Sequence, residues 1–146
     1  MPARRLTQLL EGGAFFESPR WHDGRWWVSD FYRQAVYTVT EGGDEEFVVE
    51  VENQPSGLGW MPDGSLLIVS MKDQRLLRRS PDGDLTLHAD LSEFTSSPCN
   101  DMVVDSRGRA WVGCFGFDLM AFADPQLAPR SCGSIPTAAR ASPPAR

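Results

Sequence analysis

Two residues place side-chain oxygens at corresponding points of a repeating pattern. They are Glu17 in Phe15-Phe16-Glu17-Ser18-Pro19-Arg20-Trp21 and Asn100 in Pro98-Cys99-Asn100-Asp101-Met102. A carboxylate and an amide oxygen together suit a hard divalent cation such as calcium, which takes oxygen ligands. Each also has a plainer reading, Glu17 as a solvated turn glutamate and Asn100 as an Asx-turn former. The remaining candidates for acid–base or thiol chemistry lie where structure explains them. His22 sits in the turn Trp21-His22-Asp23-Gly24, and His88 in an outer strand candidate. Cys99, Cys114 and Cys132 form no CxxC pair and are odd in number, which argues against a zinc knuckle or a disulfide framework. They read as mostly buried thiols.

The elements that must position Glu17 and Asn100 are short strands. Asp23-Gly24 leads into Arg25-Trp26-Trp27-Val28-Ser29-Asp30, and Asp-Gly between apolar runs is a hairpin signal because glycine supplies the positive φ of a tight turn. The arrangement returns at Pro62-Asp63-Gly64 before Leu66-Leu67-Ile68-Val69-Ser70, and at Asp105-Ser106-Arg107-Gly108 before Ala110-Trp111-Val112-Gly113. The turn glycines are therefore 40 and 44 residues apart. Further strand candidates cover 35–40, 47–51, 75–79 and 85–89, separated by Gly42-Gly43 and Pro81-Asp82-Gly83. Four short strands per period of about 40 to 50 residues is the pattern of a β-propeller blade. No segment has sustained helical periodicity. The fold class is thus all-β, about three blades of a propeller. Glu17 and Asn100 begin inner strands, where blades converge on a central channel. The tryptophans at 21, 26, 27, 60 and 111 recur through the blades and read as core packing.

Residues 121–146 differ in character. They hold five prolines, and Arg130, Arg140 and Arg146 stand against Asp124 alone, whereas the preceding part carries 11 basic and 19 acidic residues. With no alternation and no proline ladder donors, this Pro/Ala-rich tail is expected to be irregular and to supply no strand. A shift of reading frame and a natural disordered tail both fit the change. The organisation read from the chain is therefore a partial propeller over 1–120 and a non-homologous, disordered tail over 121–146.

At 146 residues the chain is long enough for one domain with a real core. Its 41% hydrophobic and 23% charged residues are those of a globular protein. The net charge of −6 argues against nucleic acid as a partner, because phosphate binding needs a basic surface. No apolar run reaches the length of a signal peptide or membrane span, so the cytoplasm is the expected compartment and no membrane partner is expected.

Three segments carry a family resemblance: Glu17-Ser-Pro-Arg-Trp-His-Asp-Gly-Arg-Trp-Trp-Val-Ser-Asp30, Pro55-Ser-Gly-Leu-Gly-Trp60, and the run from Asn100-Asp101-Met102 to Gly116-Phe117-Asp118-Leu119. Together they resemble the N-terminal half of the SMP-30/gluconolactonase/LRE-like, or regucalcin, family, from about Gly12 to Met120. The resemblance implies a six-bladed propeller with one divalent metal, calcium or zinc, that hydrolyses small-molecule lactones or sugar-acid esters. Glu17 falls on the family's first metal-ligand glutamate, and Asn100 on the Asn of an Asn-Asp motif that contacts substrate or the metal shell. Asp118 lies where some members hold substrate hydroxyls with a carboxylate. Pro98 stands where some members have a substrate-binding arginine. The family's later asparagine and its aspartate, ligand and general base, have no counterpart in this chain, so no catalytic residue is assigned.

The resulting expectation is a truncated lactonase, inactive alone, with an incomplete metal site. The alternative is a non-enzymatic propeller scaffold of the NHL or strictosidine-synthase-like kind. Three blades leave two bare faces. If each exposes roughly 400 Å² of apolar area, about 20 kcal/mol of burial is forgone at about 25 cal/mol per Å². Self-association through those faces, aggregation or marginal folding is expected, and two half-rings would close a six-bladed count.

Overall fold

The computed structural model describes residues 6–117 and the strand at 135–137. Eleven strands are present in that part: β1 (Phe16–His22), β2 (Arg25–Asp30), β3 (Ala35–Val39), β4 (Glu45–Glu50), β5 (Pro55–Trp60), β6 (Leu66–Ser70), β7 (Arg75–Arg79), β8 (Leu85–Asp90), β9 (Cys99–Val104), β10 (Ala110–Cys114) and β11 (Ile135–Thr137). No helix occurs among the described residues. Every pairing is antiparallel between sheet neighbours, in the orders β1-β2-β3-β4, β5-β6-β7-β8 and β11-β10-β9.

Local chemistry explains the hairpins. Between β1 and β2, Asp23 and Gly24 both have positive φ, 50° and 75°. A two-residue turn that matches the strand twist requires this, and it explains the Asp-Gly pair. The β5–β6 and β9–β10 connections are longer and are tied by their own aspartates. Asp63 accepts from Ser65 N at 3.0 Å, and Asp105 accepts from Arg107 N at 2.9 Å and Arg109 N at 3.0 Å.

The 40-residue period holds bond for bond. Val51 N donates to Gln34 O at 2.7 Å, and Leu91 N to Gln74 O at 2.8 Å. Thr40 N donates to Asp44 O at 3.0 Å, and Ser80 N to Asp84 O at 2.9 Å. The return bonds from Asp44 N to Thr40 Oγ1 and from Asp84 N to Ser80 Oγ are both 3.1 Å. Gln34 and Gln74 each take a left-handed conformation in the turn after the second strand, with φ of 53° and 50°.

Inner strands β1, β5 and β9 lie side by side, and the core forms between successive sheets. One cluster joins Val36, Leu58, Leu66 and Ile68 with Trp27 and Trp60, and another joins Leu67, Val69, Leu76, Met102 and Val112. Val28, Tyr37 and Val39 on the outer side of the first sheet are packed by Leu9 and Leu10. The approach of β5 to β9 leaves no room for side chains at two positions. A Cβ on Gly57 would lie 2.5 Å from Met102 N, and one on Gly59 would lie 2.7 Å from a Val104 methyl.

Two expectations are corrected. The tail does supply a strand: Ile135–Thr137 pairs with β10, with Pro136 opposite Trp111. It is tolerated because β11 is an edge strand, where a missing ladder donor costs least. The tryptophans do not all enter the core either. Trp27 and Trp60 do, but Trp21 and Trp26 are 49% and 38% exposed and pack edge-to-face on each other, centroids 5.2 Å apart. The reason is the strand period, which turns Trp26 to the face opposite its neighbour Trp27.

Candidate metal and substrate site

Glu17, Ser56 and Asn100 are each the second residue of an inner strand, β1, β5 and β9. Phe16, Pro55 and Cys99 just before them pair with Asp30, Ser70 and Cys114, so the three occupy the same place in successive blades. Regular pairing breaks immediately after them, between Glu17 and Arg20, between Pro55 and Leu58, and opposite Asn100 between Val112 and Cys114. Such a bulge interrupts the ladder and re-aims side chains, a feature enriched next to functional sites. In β1 it holds Ser18 at φ 50°, a left-handed conformation uncommon outside glycine, asparagine and aspartate.

These three strand ends converge. Ser56 is fully buried, and its Oγ lies 3.1 Å from Glu17 Oε2 and 3.2 Å from Asn100 Oδ1. Its own carbonyl accepts from Ser29 Oγ at 2.6 Å, which fixes the strand beneath the hydroxyl. One hydroxyl proton faces two acceptor oxygens, so the cluster has more lone pairs than donors. Burial raises the pKa of the Glu17 carboxyl, the donation from Ser56 opposes that rise, and the charge of Asp101 adds to it.

Asp101 bounds the cluster on the β9 side. Its Oδ1 accepts from Ser18 Oγ at 3.1 Å and from Met102 N at 2.7 Å, and it meets Arg20 Nη2 at 2.5 Å. Arg20 also donates to Met102 O at 3.0 Å, tying the first blade to the third. Both side chains keep solvent contact, so this ion pair orients more than it stabilises.

The structure thus brings Glu17 and Asn100 together through Ser56. Asp118 lies outside the described residues. Pro98 is buried, and its carbonyl accepts from Phe115 N at 3.1 Å. His22 stacks on Trp60 at 3.9 Å, and His88 lies half-buried on β8, its pKa lowered by that burial. Cys99 and Cys114 are buried thiols, and burial pushes Cys99 up to about 12. Ser56, Ser18, Arg20 and Asp101 were missed from sequence. For Ser56 the signal exists, because it stands 39 residues after Glu17 and 44 before Asn100, in step with the hairpin glycines.

Oxygen donors without thiolates fit a hard divalent ion in kind. They do not fit in number, since calcium takes six to eight oxygens. No group of three or more His, Cys, Asp and Glu side chains able to hold a metal occurs among the described residues.

Antiparallel sheets of this size, packed by their inner strands with polar groups gathered at the strand starts, define the protein as a β-propeller type. The chain belongs to the SMP-30/Gluconolactonase/LRE-like family, whose model matches residues 15–134, past the boundary at residue 120 read from composition. Among solved structures it is similar to regucalcin from Agrobacterium tumefaciens, a calcium-binding protein, with 22% identity and a TM-score of 0.59 over 69% of this chain and 39% of that one. A gluconolactonase from Xanthomonas campestris gives 17% identity and a TM-score of 0.62 over 86% and 41%. Virginiamycin B lyase from Staphylococcus aureus gives 14% and 0.56 over 68% and 37%. The chain thus spans about two fifths of the length of these relatives. No curated protein matches it.

Proposed function

We propose that this chain carries the first part of the metal and substrate site of a gluconolactonase-like enzyme, a hydrolase of small lactones or sugar-acid esters. The observation that carries the reading is the convergence of Glu17 and Asn100 on Ser56 from three equivalent strand starts. Family membership and the similarity of fold support it. Glu17 would hold calcium or zinc, Asn100 would contact substrate or the metal shell, and Asp118 would contact substrate hydroxyls. A bound divalent ion would supply Lewis-acid polarisation of the lactone carbonyl. Ser56 holds the Glu17 and Asn100 side chains in place, and the bulges aim them. A general base is absent from the residues assigned here, so the chain alone is expected to be inactive.

Calorimetric titration with calcium and with zinc tests the site, alongside hydrolysis of gluconolactone. Weak binding lost in Glu17→Gln, with no turnover above the spontaneous rate, is expected. Tight stoichiometric binding or turnover by this chain would overturn the incomplete-site reading. The second reading is a non-enzymatic propeller scaffold. It prevails if Glu17→Gln and Asn100→Ala leave the lactonase activity of a longer, active form unchanged.

A further inference from the structure

A cavity of about 220 Å³ lies between the first two sheets, at the turn end of β1 and therefore at the opposite end of that strand from Glu17. His22, Trp27 and Trp60 form its aromatic wall, and Arg79, at the end of β7, is its cation. The His22 ring stacks on Trp60 with planes 15° apart, and Trp27 meets Trp60 edge-on at 5.3 Å. Trp27 Nε1 donates to His22 O at 3.1 Å, which fixes the wall to the β1–β2 turn.

Arg79 is anomalous in two independent ways. First, its Nε is buried and has no hydrogen-bond partner, although buried donors are nearly always satisfied. Arg20, Arg25, Arg33, Arg75, Arg78 and Arg109 each meet a carboxylate, whereas no ion pair of Arg79 occurs among the described residues. Second, the repeat shows that the fold does not need an arginine here. Val39 pairs with Trp26 and Glu45 as Arg79 pairs with Leu66 and Leu85. Val39 is 2% exposed and sits in an apolar cluster. The second blade thus puts an unpartnered guanidinium where the first puts a buried valine.

We propose that this cavity binds a small organic monocarboxylate with a flat apolar body, the acid group on Arg79 and the body against His22 and Trp60. A guanidinium presents a planar donor fork that matches a carboxylate. Asp23 also lines the cavity, and its nearby charge disfavours a second negative charge on the ligand. The volume is below that of ordinary drug-sized pockets, which limits the ligand to about one ring.

The test titrates the whole chain with sodium benzoate, read by tryptophan fluorescence and by NMR of the indole N–H signals. Saturable changes at Trp27 and Trp60 are expected, with benzyl alcohol at least about tenfold weaker because it lacks the charge-assisted pair. Arg79→Val, which installs the residue of the first blade, should keep the far-ultraviolet circular dichroism and lose the benzoate response. The absence of a saturable response, equal binding of benzyl alcohol, or full benzoate affinity in a folded Arg79→Val protein would each overturn the proposal.

Discussion

At Glu17 the folded environment works against the charge that a metal ligand needs. Burial raises its pKa, so the carboxyl contributes stability while protonated, below the unfolded value of 4.5, and loses it as pH rises through the higher folded value. Glu17→Gln is therefore expected to be more stable than the parent at pH 7 and no more stable at pH 4, as urea titrations at the two values would show. That is the usual sign of a residue kept for function at a cost in stability. Asp105 behaves oppositely. Backbone donation from Arg109, its side-chain bond and the Arg107 amide hold its carboxyl at about 2, below the ordinary 3.8. Its contribution is present above about 3.8 and is lost as pH falls toward about 2. Trp111 Nε1 reaches the same carboxylate at 3.5 Å. Acid titration of near-ultraviolet circular dichroism should show a change in that window that Asp105→Asn removes.

At the scale of strands, the site depends on how closely β5 approaches β9. Gly57→Ala would force a methyl to within 2.5 Å of a backbone nitrogen, and backbone cannot yield as a flexible side chain can. A loss of about 1–3 kcal/mol is expected, as for overpacking in a core, measured by chemical denaturation. Much at this scale was legible from sequence. The strand at 75–79 matches β7, and those at 47–51 and 85–89 fall within two residues of β4 and β8. Turn chemistry explains this success, because Asp23-Gly24 and Pro81-Asp82-Gly83 announce their backbone angles. The bulges were not legible, since an irregularity of pairing belongs to two strands at once and Ser18 resembles any serine. Ser56 was overlooked for a related reason. A serine within an apolar strand acquires meaning only when three sheets are overlaid. Pro136 reads as a strand breaker until its place at a sheet edge is known.

At the scale of the molecule, apolar side chains remain bare on its outermost sheets. Trp21 and Trp26 are partly exposed on the first, and Val103 is 58% exposed on the third. Exposed large apolar side chains gathered into patches mark interaction sites, and Trp21 and Trp26 pack on each other at the surface of the first sheet. Static light scattering is therefore expected to give a mass above the monomer's 16.2 kDa that falls on dilution. A constant monomer mass would contradict this. The propeller class was legible because the period of 40 and 44 residues survives in turn glycines. The convergence of Glu17 and Asn100 was legible from their corresponding places at inner-strand starts, although 82 residues lie between them.

The matching backbone bonds that Gln34 and Gln74 accept, from Val51 N and Leu91 N, also make the first two sheets interchangeable parts. Excising residues 31–70 would splice β2 onto the turn that precedes β7 and keep the bond from Leu91 N to Gln74 O, with Asp30 taking the place of Ser70 before that turn. The splice would yield a hybrid sheet, β1-β2-β7-β8, whose turn still ends in a left-handed glutamine. Unequal crossing-over between the two repeats could therefore add or remove one whole sheet at a time while keeping the register of those that remain.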